Sequence, residues 1–122
     1  MTVLTQGVQP LEFLLSEADG MRARDNETVT VAGSEALVSG RVLAKLIATG
    51  KWVAYDDVGA DGSEVAAGVL GTALPGVNGD YKALVFTRDC EVIGSMLNWG
   101  ALAGPAIANG KADLKAVGVI VR

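Results

Sequence analysis

Histidine is absent from the 122 residues, and cysteine occurs once, as Cys90. Without histidine the chain loses the commonest general base and transition-metal ligand, and every Ser–His or Cys–His nucleophile arrangement with them. A single cysteine allows no disulfide within the chain and no thiolate zinc site. Long apolar runs are also missing. The longest nearly apolar stretch, Trp99 to Ala108, is about half of the roughly 20 residues that cross a bilayer, and Gly and Pro interrupt it. No membrane span is expected, and MTVLTQGVQP at the start lacks the charged region and apolar run of a signal peptide, which suits a reducing, cytoplasmic assembly site. Clustered positive charge is lacking too: ten basic residues stand singly between Arg22 and Arg122 in a chain of net charge −4. Phosphate-backbone binding needs clustered Lys and Arg, so direct nucleic-acid binding is excluded and a protein partner is favoured. Neither G-x-G-x-x-G nor G-x-x-x-x-G-K-[ST] occurs, which removes the usual nucleotide cradles.

What is present is glycine, at 16 positions, and a 50% apolar fraction. Glycine is costly inside helices and cheap in turns, so the surplus predicts short strands joined by tight turns around one core. The texture changes at Thr28 and divides the chain into an irregular arm, residues 1–27, and a single β-rich domain, residues 28–122. In the arm, Leu11, Phe13, Leu14 and Leu15 form a small apolar knot ahead of a charged stretch. Either this is a sticky patch on an arm, or Phe13 to Leu15 packs back on the core as an edge strand.

Thr28–Val31 is a β-branched run and predicts the first strand. Arg41–Ala48, bounded by glycines, predicts a second. Thr49-Gly50 predicts a two-residue hairpin into Lys51–Tyr55, which would set Leu46 opposite Val53 and Ala44 opposite Tyr55. Ile47 would then face Trp52 on the other side, where a neighbouring subunit would supply the cover. Val65–Leu70 is a short apolar run. Asn78-Gly79 is the strongest hairpin signal, feeding a central strand at Tyr81–Thr87, with another short strand at Glu91–Ile93. Pro105 is placed to open a short helix that Asn109-Gly110 would close or kink, with another turn open to Lys111–Lys115. Alternating Val117, Val119 and Val121 predict a terminal strand.

No catalytic, metal or cofactor residue emerges. Cys90 beside a strand reads as a small buried hydrophobe. Ser95 in Gly94-Ser95-Met96 is not a nucleophile elbow. Asp57, Asp61 and Glu64 fail the calcium-loop pattern at Gly59 and at Gly68, where a glutamate is required. Lys45 lies inside a strand and not at a hairpin tip, so it is an ordinary surface lysine.

Three blocks go further: Glu12–Asp25 with Glu27–Val31, then Gly50–Asp56 with Asp61–Leu70, then Leu114–Arg122. In this order, over nearly the whole chain, they resemble the head decoration protein D family of lambdoid bacteriophages, in its prophage-type branch. Residues 1 to 11 and Arg22-Ala23-Arg24 depart from the longer Thr/Pro/Ala-rich arm of lambda itself, which leaves the mode of attachment open. The resemblance implies a mainly β fold with short helices, of β-clip or tulip type, a small antiparallel sheet domain assembled as a homotrimer. It further implies a non-enzymatic structural protein without cofactor, made in the host bacterial cytoplasm and placed on the outer capsid surface of the virion. There it would bridge copies of the major capsid protein and resist the pressure of packaged DNA. Given the irregular but apolar-tipped N-terminus, Leu11, Phe13, Leu14 and Leu15 are then expected at or near the capsid-facing side, and deletion of residues 1–15 is expected to leave a folded trimer that no longer sediments with expanded capsids. Ile47, Trp52 and Trp99 are candidates for the trimer interface, with the core as the alternative for both tryptophans. Two other classes stay open: a tail or fibre module, and a β-clip enzyme such as a dUTPase-like trimer, for which the nucleotide motifs are missing.

Overall fold

The computed structural model describes residues 10–122. Among the described residues, eight strands and one α-helix alternate with turns and two short 3-10 helices, Asp19–Met21 and Gly94–Met96: β1 Leu14–Glu17, β2 Arg24–Val31, β3 Val42–Lys45, β4 Trp52–Ala54, β5 Ala66–Leu70, β6 Gly79–Phe86, β7 Cys90–Val92, α1 Gly104–Ala116 and β8 Val119–Val121. The mainly β class expected from the glycine surplus and the β-branched runs is what forms.

Five strands close into a barrel in the order β2-β4-β3-β5-β6, and β1-β7-β8 make a second, three-stranded sheet. In β2, Val29 and Val31 are buried while Thr28 and Thr30 are half-buried, the alternation of a strand with one face inward. The barrel is filled by Val29, Val31, Leu37, Leu43, Trp52, Leu70, Leu74, Ala83 and Val85. Strands β3, β5 and the end of β6 are apolar at both parities, because their outer faces are covered as well. Val42, Ala44, Val69 and Phe86 leave the barrel on that side and join Phe13, Tyr55, Val92, Leu97, Leu114 and Val119 in a second core. One wall of the barrel therefore serves two cores. The three-stranded sheet closes the second core together with α1, which packs against β5 and β8.

Three expectations are corrected. Strands β3 and β4 pair Leu43 with Ala54, Ala44 with Val53 and Lys45 with Trp52. The connection is thus longer than Thr49-Gly50: Leu46 N–H donates to Lys51 O at 2.8 Å, and Gly50 N–H donates to Leu46 O at 3.0 Å. Gly50, at φ +70°, supplies the left-handed residue that closes this wider turn. The shift is by two residues, so each side chain keeps its face and only its partner changes. Asn78-Gly79 makes no two-residue hairpin either: Gly79 opens β6 opposite Val31, and the Asn78 side chain accepts from Gly33 N–H at 3.3 Å. Nor does Asn109-Gly110 close α1, which runs on to Ala116. A Cβ on Gly110 would collide with the Trp99 ring and approach Tyr55 to 3.0 Å. The bare helix backbone accepts two aromatic rings there, which outweighs the poor helix propensity of glycine, about 1 kcal/mol.

Residues 10–27, assigned to the arm by their irregular pattern, hold β1 and the first half of β2. Of the two readings of Phe13–Leu15, the structure shows the edge strand. Leu11 N–H donates to Ser39 Oγ at 3.0 Å, that hydroxyl donates to Gly71 O at 2.8 Å, and Ile93 N–H donates to Phe13 O at 2.7 Å. Residues 1–9 of the expected arm lie outside the described residues.

Candidate functional site

The sheet order puts β1 at an edge, paired on one side with β7. No second strand pairs with it among the described residues. A β-bulge between Leu14 and Ser16 interrupts the ladder. Of the four apolar residues expected to face a partner, Phe13 is 1% exposed and Leu15 is 53% exposed. Leu11 and Leu14 are half-buried against the second core. The knot is therefore split: Phe13, edge-to-face with Phe86 at 5.5 Å between ring centroids, anchors the strand, and Leu15 is the member offered outward. Deleting residues 1–15 would take Phe13 out of the core, so that truncation would destabilise the fold itself rather than remove capsid binding alone.

Around β1 the charges are matched. Glu17 accepts from Arg24 Nε at 2.8 and 3.1 Å, and this pairing holds its carboxyl below the ordinary range. Ser16 and Arg122 both donate to Glu91. A shallow recess of about 420 Å³ runs along Ser16, Glu17, Ala18, Asp89, Cys90, Glu91, Gly118 and Ile120. Burial, with the charges of Glu17 and Asp89, pushes the Cys90 thiol up to about 11. Such a thiol carries almost no thiolate at neutral pH and is packing, not a nucleophile. No group of three or more His, Cys, Asp or Glu side chains able to hold a metal occurs among the described residues.

A second apolar surface lies at the β3–β4 turn. Ile47 is 81% exposed, its N–H donates to Asp61 O at 3.0 Å, and Val65, also exposed, donates to Gly62 O at 3.3 Å. Trp52, expected beside Ile47, is instead inside the barrel, where its Nε1–H donates to Glu27 at 3.2 Å. Trp99 is half-buried, edge-to-face with Tyr55 at 6.0 Å. The structure brings none of these three residues together. Exposed Val58, Val65, Val77, Met96 and Val117 were missed from the sequence. Val58 alone carried a signal, an aliphatic residue inside an acidic, glycine-bearing loop.

No helix among the described residues is long and apolar enough to cross a membrane. A family model described as bacteriophage lambda head decoration protein D matches residues 3–119. No curated protein matches the chain.

Proposed function

We propose that this chain, which belongs to the bacteriophage lambda head decoration protein D family, acts as a homotrimer on the outer surface of the expanded head and ties neighbouring major capsid proteins together against packaged DNA. Membership makes it a phage head decoration protein, in a family of structural proteins and not of enzymes. The observation that carries the finer reading is the extent of the match: residues 3–119 take in the barrel, α1 and the three-stranded sheet up to the first residue of β8, rather than a single motif.

Capsid binding falls to the arm region, residues 1–27, whose described part presents β1 as an open edge with Leu15 beside it. A capsid strand laid on that edge would gain backbone hydrogen bonds, and Leu15 would add apolar burial. Phe13 contributes from beneath by holding β1 in place. Ile47, with Val65 nearby, is the surface assigned to the trimer interface.

Sedimentation with expanded heads tests the first part. A chain beginning at residue 10 and the variant Leu15→Asp should both stay folded and pellet less with heads than the parent. Undiminished pelleting of both would reject β1 and the arm as the docking surface. Sedimentation velocity of Ile47→Asp tests the second part, with monomer expected; an unchanged trimer would remove Ile47 from the interface.

A further inference from the structure

A recess of about 320 Å³ is lined by Glu35, Arg41, Ala54, Tyr55, Asp56, Trp99, Ala101 and Leu102, and shares no residue with β1 or with the Ile47–Val65 surface. Arg41 is its unusual member. The side chain is only 9% exposed, yet Nη1 alone is engaged, donating to Glu35 Oε1 at 2.8 Å and Asn98 Oδ1 at 3.3 Å. Nε and Nη2 donate to no described residue. Every fully enclosed side-chain nitrogen or oxygen among the described residues has a partner, so these idle donors reach solvent, and the recess is the concavity Arg41 lines.

The guanidinium is held from behind. Asn98 Oδ1 also accepts from Gly100 N–H at 3.0 Å. A Cβ on Gly100, at φ +64°, would lie 2.6 Å from Nη2. Glycine at 100 thus lets the chain pass directly over the charge and fix it. Asp56, which also lines the recess, accepts from Val58 N–H through Oδ1 at 3.3 Å, while Oδ2 has no partner among the described residues. Tyr55 commits its hydroxyl to Ala106 O at 3.0 Å and shows the recess only its ring. Trp99 Nε1 has no acceptor among the described residues. The recess thus gathers guanidinium donors, a carboxylate acceptor and apolar and aromatic side chains in its lining.

Charge selects the occupant. An anion drawn to Arg41 meets the carboxylates of Glu35 and Asp56, and a cation drawn to those meets the guanidinium. A neutral peptide unit satisfies both kinds of group, with its carbonyl accepting from Arg41, its N–H donating to Asp56, and an aliphatic side chain on Trp99 and Leu102. The volume lies near the lower end of the roughly 300–1,000 Å³ typical of ligand pockets and suits a short segment. We propose that this recess binds a short, uncharged, extended peptide segment of a partner polypeptide, as a docking point separate from β1.

The test is a titration of the isotopically labelled full chain with acetyl-Leu-Ala-Leu-amide, followed by nuclear magnetic resonance. The Trp99 indole and Gly100 amide signals should move, while the Trp52 indole, bonded to Glu27 inside the barrel, stays as the internal reference. Arg41→Met should weaken binding about ten-fold, as expected for the loss of a hydrogen bond from a charged donor. Should Arg41→Met not fold, Asp56→Ala on the exposed rim should weaken binding several-fold. Peptides with Glu or Lys at the central position should bind less well. The assignment is overturned if the Trp99 signal stays fixed, if charged peptides bind equally, or if the variants bind like the parent. A Trp99 shift produced by protein concentration alone would give the recess to a second copy and overturn it as well.

Discussion

Replacing Phe13 by alanine should unfold far more than an N-terminal arm. The ring is 1% exposed and meets Phe86 edge-to-face, so truncation removes apolar burial and leaves a void that the barrel wall on one side and β7 on the other cannot fill. Phe→Ala in such a setting costs about 3–5 kcal/mol, a large share of the roughly 5–15 kcal/mol that holds a domain together. At about 4 °C per kcal/mol for this length, the melting midpoint should fall by about 12–20 °C. The two tryptophans make the assay informative, because Trp52 sits in the barrel and Trp99 packs on the second core. Both cores share the wall of β3, β5 and β6, so fluorescence of single-tryptophan versions should report one common midpoint that shifts together. Leu15→Ala, on the exposed side of the same strand, should change stability by less than about 0.5 kcal/mol. A Phe13→Ala protein within about 1 kcal/mol of the parent would refute the packing argument and return residues 10–17 to a detachable arm.

Gly110→Ala, a change that stabilises an ordinary helix interior by about 1 kcal/mol, should instead lower the melting midpoint here, with a shift in Trp99 emission as the ring is displaced by the new methyl group. Acid unfolding follows from the carboxylates: Glu17 and Asp25 have folded-state values lowered chiefly by hydrogen bonds from Arg24 and Arg88. Their stabilisation is therefore complete above the unfolded-state value, 4.5 for Glu17, and is lost as pH falls through the folded one. Glu17→Gln should flatten the decline of stability below that point, and an unchanged acid limb would contradict the pairing. Cys90 should resist a thiol reagent at pH 8 in the native protein and react stoichiometrically in denaturant, since burial raises its thiol to about 11; rapid native labelling would show that the second core opens there.

Local chemistry marked most of the strands. Thr28–Val31, Val65–Leu70, Tyr81–Thr87 and the valines after Gly118 each lie on or within one residue of an observed strand, because β-branched and apolar runs bounded by glycine leave the chain few other options. What local pattern could not show was which faces meet. Asn78-Gly79 has the composition of a tight turn, yet Leu37 and Leu74 bridge to each other and draw the connection into the barrel mouth. Gly110 has the composition of a helix stop, and only the rings packed on it explain why the helix continues. The arm looked irregular because β1 is short, bulged and covered on one side only, so no period accumulates over its four residues. Arg41 gave no signal at all: a lone arginine at the start of an apolar run is ordinarily solvated, and its burial depends on Glu35 six residues before it and on Asn98 and Gly100 from a distant segment.

On the proposed docking role, the open edge of β1 would let a decoration protein hold a shell without sticking to itself. An unpaired strand edge invites pairing with any other chain, and proteins blunt such edges by shortness, bulges and charge. Here the strand is four residues long, is bulged between Leu14 and Ser16, and ends in Glu17 paired to Arg24. A partner strand can therefore form only a few ladder bonds, each with a net contribution of about 0.5–1.5 kcal/mol. One such contact is weak and reversible between free copies. In the proposed trimer, three of them presented together to neighbouring capsid subunits would act at a high effective concentration, and avidity could then exceed single-site affinity by about 10²–10⁴. Lengthening the ladder by removing the bulge should trade this selectivity away: deletion of Leu15 should strengthen edge pairing, raise self-association in sedimentation velocity, and leave the barrel signal of Trp52 unchanged. Continued solubility without new association would mean that something other than the short, bulged edge keeps free copies apart.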